Sequence, residues 1–243
     1  MILVQCSLFG SLRVNHMRQS DIHYVIHACP ERMWYVKGYL IPRLLNQPYV
    51  DEVFVWCDEE KKGNLYSCMD SFRHIPEDWH GATWHMQDDV IIARNFFERV
   101  TIAEKDEIVC GFCCPRFNSN LTRGYSDPEH MWYSFPCIRI PDDIARECGE
   151  WFFGKVYGSP VYRSLTMHGN RDDQVFKKFL EEEHPDIPIY HMKPCMVEHV
   201  DWLLGGSMAN KDRKKIATAM WFEDGDLVNE LERRINSEQR NHY

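Results

Sequence analysis

The sequence predicts an α/β fold in which short buried strands alternate with helices. Two β-rich runs, 22–28 and 52–57, flank a stretch in which apolar residues recur at helical spacing. A strand, a helix and a strand over this length form a βαβ unit with parallel strands. Polar and charged residues follow the strands, and sheets of this kind bind ligands beyond the carboxyl ends of their strands. We therefore expect a site at that edge of the sheet.

The remaining elements follow from local signals along the chain. Pro30 opens the first helix, because proline is tolerated in a first helical turn, and Pro42 should kink or restart it. Residues 90–100 suggest a short helix or a strand followed by a helix, and 108–112 suggest a strand. Residues 115–136, rich in Gly, Pro, Asn and aromatic side chains, predict a long irregular connection. Three more helices are expected, beginning near 141 and 172 and covering 227–235.

Composition indicates a folded, globular chain. The 243 residues are 44% hydrophobic and 13% aromatic, enough for one large domain with a sizeable core. We expect a cytoplasmic protein, because no signal-peptide pattern or membrane-spanning run is present, with its ten cysteines reduced and mostly buried. The net charge of −9 argues against general nucleic-acid binding, although it leaves room for a local basic groove.

The most informative segment ends in two adjacent acids, Asp88 and Asp89. They close the aromatic-rich run 84–87 and precede the apolar run 90–92. Carboxylate oxygens are the ligands that Mg²⁺ and Mn²⁺ prefer, and an ion held by one or two of them keeps positions for substrate phosphates. A solvated Asp-Asp turn is the alternative interpretation.

The order of these features resembles the glycosyltransferases of the GT-A fold. The resemblance covers about residues 20–210 and is carried by the segments 26–32, 55–58, 87–89, 169–173 and 194–200, the last with Gly206 and Ser207. It implies a GT-A-like, Rossmann-type mixed sheet flanked by helices. It further implies a single domain with a nucleotide-sugar donor half (about 20–110), an acceptor half (about 111–210) and a C-terminal helix (about 223–238).

The resemblance also implies roles for individual residues. Asp89 and His199 would hold Mn²⁺ or Mg²⁺, and Asp172 or Asp173 would deprotonate the acceptor hydroxyl if the reaction inverts configuration. Gln87 stands where the family often has an acid, which could weaken metal dependence. The expected donor-binding residues are His27, Ala28, Arg32, Asp58, Asp88, Lys211 and Arg213.

Each of these residues also has a purely structural interpretation. Asp172 and Asp173 could be acids that interact with a helix dipole, and Asp58 could simply form a turn. His199 could be a packed or surface histidine, and Arg32 could be one more basic residue on a helix. The basic run 211–215 could be a solvated face.

The expected partners are a nucleotide-sugar donor and a hydroxyl acceptor, with no membrane surface and an undetermined oligomeric state. The acceptor is either a saccharide or a DNA base, as in phage-type enzymes that glycosylate hydroxymethylated pyrimidines. The run 211–215 with Arg116, Arg123 and Arg163 could form a groove for DNA. A nucleotidyltransferase is the first alternative, although the turn 27–32 lacks that class's glycine-rich signature. A non-catalytic nucleotide-binding domain is the second.

Overall fold

The computed structural model describes residues 2–5, 22–47, 50, 52–96, 107–112, 124–126, 135–166, 172–204, 219 and 222–240. Its strands are β1 (Ile2–Gln5), β2 (Ile22–Ala28), β3 (Glu52–Cys57), β4 (Ala82–Gln87), β5 (Val90–Ile92), β6 (Ile108–Cys110), β7 (Gly124–Ser126), β8 (Cys137–Pro141), β9 (Ile189–His191) and β10 (Val197–His199). Its α-helices are α1 (Met33–Tyr35), α2 (Ile41–Leu45), α3 (Asn64–Arg73), α4 (Asp142–Trp151), α5 (Pro160–Thr166), α6 (Asp172–Glu183), α7 (Asp201–Leu204) and α8 (Gly225–Arg240).

Eight of these strands form one mixed sheet in the order β1-β3-β2-β4-β8-β6-β9-β7. At its centre β2 pairs in parallel with both β3 and β4, as expected for a βαβ unit. The strand β8 runs antiparallel to β4 and to β6, so the sheet is mixed rather than fully parallel. A separate antiparallel ribbon joins β5 to β10. The predicted fold class, a mixed α/β sheet flanked by helices, is confirmed.

Side chains from the two faces of the sheet enter separate cores, because successive residues of a strand point to opposite faces. Tyr24 and Ile26 of β2 pack with Trp84 and Met86 of β4, the first helices and the apolar face of α8. Ile138 and Ile140 of β8 pack on the other face against α3, α4 and α6. The sheet therefore lies between two helical layers, which is the arrangement that leaves the ends of its strands open to a ligand.

The first helical segment changes geometry immediately before its proline. A 3₁₀ turn (Pro30–Arg32) leads into α1, a π-helical segment covers Val36–Leu40, and α2 follows. Pro42 lies in the first turn of α2, directly after the π-helical segment in which the Ile41 N–H donates to the carbonyl of Val36. The helical backbone continues through this segment, so the predicted kink or restart at Pro42 takes the form of a local π-helical turn.

The strand of the alternative predicted for 90–100 is confirmed at 90–92, which pair with β10; of the helix expected after it, only Phe96 lies within the described residues. Other predicted elements need correction. The predicted irregular connection 115–136 contains β7, which pairs with β9 at the edge of the sheet; apart from 124–126 and the last two residues it lies outside the described residues. The strand predicted at 108–112 ends at Cys110, and the C-terminal helix continues to Arg240.

Seven cysteines fall in the described ranges and all are free thiols; five of them are buried. This agrees with the expectation that most of the cysteines contribute to the core. Among the described helices, none has the length and apolar character needed to cross a bilayer.

The crossing of α3 and α4 depends on Gly149. A Cβ at this position would lie 2.6 Å from the backbone nitrogen and 2.9 Å from the Cα of Arg73. We predict that Gly149→Ala lowers the free energy of unfolding by about 2 kcal/mol, because the two helix backbones must separate. Gly154→Ala is the matched control, since a Cβ there meets no atom within 4 Å and should leave stability unchanged or slightly raised. Urea denaturation of both variants tests this, and equal midpoints would contradict it.

Candidate active site

Three neighbouring strand ends bring the predicted site residues to one edge of the sheet. In the parallel register Ala28 lies opposite Cys57, and His27 lies opposite Gln87. The segments that follow these strands, 29–32, 58–63 and 88–89, therefore leave the sheet side by side. The edge predicted from the sequence is the one at which the side chains gather.

A buried ion cluster occupies this edge. One guanidinium nitrogen of Arg32, Nη1, donates hydrogen bonds to Asp88 Oδ1 at 2.6 Å and to Asp89 Oδ2 at 2.5 Å. Each of the three side chains is less than a tenth exposed. The Asp-Asp pair is therefore not a solvated turn; the cationic side chain that it binds comes from the turn after the neighbouring strand.

A second bond to Asp88 fixes the same turn. The Cys29 amide donates to Asp88 Oδ2 at 2.7 Å, so both oxygens of this carboxylate have protein partners. Tyr35 adds a hydrogen bond of 2.7 Å from its hydroxyl to the carbonyl of Val90. Cys29, Arg32 and Tyr35 consequently connect the start of the first helical segment to residues 88–90 by four hydrogen bonds.

His199 reaches the cluster through the β5–β10 ribbon. His199 lies opposite Val90 in this pairing, and the Val200 amide donates to the carbonyl of Asp89 at 2.7 Å. This places His199 Nε2 3.3 Å from Asp89 Oδ1, with Nδ1 3.6 Å from Asp201 Oδ1. The structure thus joins two residues that are far apart in sequence and that the resemblance paired as metal ligands.

The charges in this cluster reinforce one another. Burial alone would lower the pKa of His199, but the Asp89 carboxylate and then Asp201 outweigh it and raise the pKa from 6.5 to about 9. Burial would raise the pKa of Asp89, yet His199 and Arg32 hold it well below its usual range. For Asp88, burial followed by the nearby Asp89 raises the pKa. At neutral pH Asp89 is therefore a carboxylate between two cations.

Polar atoms of the cluster are left without hydrogen bonds. Arg32 Nε, Asp89 Oδ1 and His199 Nδ1 are buried and make no hydrogen bond to any residue of the described ranges. Buried polar groups are satisfied in nearly all native structures, and each exception requires an explanation such as a ligand, an ion or a water molecule. Other buried atoms of the described residues are also without hydrogen bonds, so these three atoms are available to a ligand but do not by themselves identify one.

The donor set also fits a divalent ion. Two neighbouring ligands of an octahedral ion at about 2.1 Å stand roughly 3 Å apart, close to the Asp89 Oδ1–His199 Nε2 separation of 3.3 Å. The carboxylate oxygen suits Mn²⁺ or Mg²⁺, whereas imidazole is more typical of Zn²⁺ and Fe²⁺, and His199 would have to release its proton to coordinate any of these ions. Within the described residues no group of three or more such ligands exists, so water and substrate oxygens would have to complete the coordination.

Asp172 lies at the same edge, at the start of α6. Its Oδ2 accepts hydrogen bonds from Asn64 Nδ2 at 2.8 Å and from Gln87 Nε2 at 3.2 Å, and its Oδ1 accepts one from the Asp173 amide at 3.1 Å. Gln87 directly precedes Asp88 in sequence. Asp172, the acid predicted to act on the acceptor, is thereby hydrogen-bonded to the strand that precedes Asp88 and Asp89.

The environment of Asp172 gives it a pKa suited to proton transfer. Burial, followed by the charge of Asp173, raises the pKa of Asp172 to about 7, against the lowering effect of its hydrogen bonds. A carboxyl group with a pKa near neutrality can accept a proton and release it again under the same conditions. Asp173 is buried as well, and its carboxylate accepts a hydrogen bond from the Gln174 amide at the start of the helix.

Three predicted donor-binding residues make other contacts. The His27 ring hydrogen-bonds His85 at 3.0 Å and Ser71 at 3.3 Å, and burial lowers its pKa to about 4. Ala28 accepts a backbone hydrogen bond from Asp58 at 2.9 Å. The Asp58 carboxylate accepts bonds from the Lys62 and Gly63 amides, which is the turn-forming arrangement. A donor-binding role for these residues stays a prediction.

Most of the basic residues predicted to bind the donor phosphates or DNA lie outside the described residues. This applies to Lys211 and Arg213, and equally to Arg116 and Arg123, which were expected to form part of a DNA groove. Arg163 is exposed on α5. The predicted groove is therefore untested.

Sequence reasoning missed the residues that position Asp172. Asn64 begins α3 and Gln87 ends β4, and nothing local distinguishes either amide from an ordinary polar terminus. The Cys29 contact to Asp88 is a backbone interaction, so side-chain chemistry does not predict it. Only Gln87 could have been noticed from the sequence, because it stands where the glycosyltransferase motif often has an acidic residue.

No protein-family model matches this chain, and no curated protein matches it. Among solved structures, it is similar to 4-diphosphocytidyl-2C-methyl-D-erythritol synthase from Anaerococcus prevotii DSM 20548. The two are 8% identical, the match covers 72% of this chain and 89% of that chain, and the TM-score is 0.44. A likeness this loose says nothing about the reaction.

The raised pKa of His199 makes stability dependent on pH. Because the folded state binds this proton more tightly than the unfolded state, the stabilisation is fully present below about pH 6.5 and is lost as pH rises through about 9. We predict that wild-type protein loses roughly 3 kcal/mol more than His199→Gln across this window. Chemical denaturation of both proteins from pH 6 to 10 measures the difference. Parallel curves would show that His199 does not interact with Asp89 as described.

Proposed function

We propose that this protein is a metal-dependent glycosyltransferase that moves a sugar from a nucleotide-sugar donor to a hydroxyl acceptor. The observation that carries the proposal is the convergence, at one sheet edge, of a buried cationic and carboxylate cluster with an acid whose pKa is near neutral. The first group suits a diphosphate and its cation. The second suits an acceptor hydroxyl.

The donor would bind at the Arg32–Asp88–Asp89–His199 cluster. Arg32 retains a buried N–H without a partner in the described residues, and a phosphate oxygen is the acceptor that guanidinium groups bind best. His199, protonated at neutral pH in the absence of a metal, adds a second cation. The donor's nucleoside would extend along the ends of β2 and β3, where parallel sheets bind nucleotides.

Asp89 and His199 would hold the divalent ion, with Asp88 close to the donor ribose or to water on the ion. When bound, the ion would stabilise negative charge on the departing diphosphate. Lys211 or Arg213 would supply further positive charge at the phosphates, as the resemblance implies.

Asp172 would act on the acceptor. In an inverting reaction the acceptor oxygen bonds to the anomeric carbon while the bond from that carbon to the diphosphate oxygen breaks, and the diphosphate leaves with the electron pair. The acceptor proton passes to Asp172, which later releases it to solvent. In a retaining reaction Asp172 would only orient the acceptor. Asp173, one residue further along α6, keeps the pKa of Asp172 high.

The acceptor in this proposal carries a hydroxyl group, either on a saccharide or on a hydroxymethylated pyrimidine in DNA. The net charge of −9 disfavours a DNA acceptor. A DNA acceptor is favoured by the basic residues, namely the run 211–215, Arg116, Arg123 and Arg163. Incubating the protein with its donor and each acceptor, and following transfer by mass spectrometry, separates the two.

Thermal unfolding against a panel of nucleoside diphosphates and nucleotide sugars, with and without Mn²⁺, tests the donor site. A ligand that binds the native state raises the melting temperature by an amount set by its concentration relative to Kd. We expect one nucleoside diphosphate to raise the melting temperature in a Mn²⁺-dependent manner. The isosteric variant Asp89→Asn should lose that response, because one ligand to the ion becomes neutral.

Asp143→Asn is the matched control, since Asp143 is likewise the second of two adjacent acids but is exposed at the start of α4. It should keep the full response. If no nucleotide raises the melting temperature of the wild-type protein, the donor site is refuted. If a nucleoside triphosphate is bound and cleaved to release pyrophosphate, the protein is a nucleotidyltransferase instead.

A further inference from the structure

We propose that Gln87 is a positioning residue that ties the acceptor acid Asp172 to the strand carrying the donor-side carboxylates. This inference rests on the proposed function and extends it, because it identifies what holds the two halves of the site in a fixed relation. The contact that carries it is the hydrogen bond of 3.2 Å from Gln87 Nε2 to Asp172 Oδ2.

The backbone of Gln87 is fixed on both sides. It is the last residue of β4, pairs with His27 of β2, and donates its own amide to the carbonyl of Pro136 at 3.2 Å. The next residue, Asp88, is held by Arg32 and by the Cys29 amide. A side chain on such a rigid strand end is a good anchor, because little conformational entropy is lost when it binds a partner.

Asn64 is a second side chain that supports Asp172. Its Nδ2 donates to the same oxygen, Oδ2, at 2.8 Å, while the Asp173 amide donates to Oδ1 at 3.1 Å. Asp172 is therefore bound from α3, from β4 and from its own helix. Three donors around one carboxylate fix its rotation, which is what a base needs if it is to meet an acceptor oxygen in a single geometry.

The two amides also set the charge of the acid. The ionisable groups facing Asp172 are Asp173 on α6, which raises its pKa, and the buried Cys68 thiol on α3. Asn64 and Gln87 act against burial, because a donated N–H stabilises the ionised carboxylate. Their presence keeps a 6% exposed acid able to lose its proton near neutrality.

A carboxylate in place of either amide provides the sharpest test. Gln87→Glu and Asn64→Asp are isosteric, and each puts a negative group against Asp172 Oδ2 instead of a donor. Only Gln87→Glu adds this charge next to Asp88 and Asp89. If Gln87 served the metal, glutamate would strengthen Mn²⁺ binding; if it serves Asp172, glutamate would harm the base.

The measurement is the pH dependence of kcat/KM for the two variants, with the pKa of Asp172 read directly by carboxyl-carbon NMR. We expect both variants to raise the pKa of Asp172 and to move the acidic limb of the profile to higher pH by the same amount. At pH 6 this amounts to about a tenfold loss of kcat/KM, with the donor KM unchanged. Gln87→Met removes the hydrogen-bonding N–H without adding charge. It should raise the pKa of Asp172 and shift the acidic limb in the same direction, but by less.

Two results would overturn the proposal. One is a Gln87→Glu protein with tighter Mn²⁺ binding and an unmoved acidic limb. The other is a Gln87→Met protein whose loss lies in donor KM alone. The failure of the proposed function is separate: if the wild-type protein turns over no donor, the NMR titration still decides whether Gln87 controls Asp172.

Discussion

The buried ion cluster of Arg32, Asp88 and Asp89 is the interaction on which the site depends. One guanidinium nitrogen binds both carboxylates, so the turn after β2 and the turn after β4 are held together in the interior of the protein. Removing charged groups from water costs several kcal/mol for each ion, and buried ion pairs often stabilise a protein no more than apolar side chains of the same volume. A contribution to folding is therefore a weak explanation for such a cluster.

The polar atoms left without partners strengthen this argument. Within the described residues, Arg32 Nε and Asp89 Oδ1 are buried without a hydrogen bond, and His199 has one unsatisfied ring nitrogen. A buried polar atom without a hydrogen bond lowers stability, although for Asp89 Oδ1 the charge of His199 Nε2 at 3.3 Å offsets part of this cost. Proteins accept this cost mainly where the groups have a function, because stability and activity commonly conflict at such sites. The cluster and Asp172 are therefore the groups on which the proposed binding and catalytic roles rest.

The sequence could predict the part of this site that follows directly from the positions of the strand ends. Alternation of strands and helices places the turns after β2, β3 and β4 at one edge, and this was enough to bring Arg32 close to Asp88 and Asp89. The resemblance, rather than the pattern of residues, suggested His199, because the β5–β10 pairing that delivers it joins two three-residue strands with no periodic signal of their own. Gln87 and Asn64 escaped prediction for a related reason. Their contacts to Asp172 span 85 and 108 residues and depend on how α3 and α6 pack. The interpretation of Asp58 as a turn former agrees with its two amide contacts, which a local sequence signal can anticipate.

The position of bound manganese tests the account most directly. Its anomalous scattering can be located in crystals grown with Mn²⁺ and the nucleoside diphosphate that raises the melting temperature. The account predicts a peak at Asp89 and His199, with the nucleotide along the carboxyl ends of β2 and β3. A manganese peak at other residues would contradict it. So would a nucleotide bound away from these strand ends while Arg32 remains hydrogen-bonded to Asp88 and Asp89.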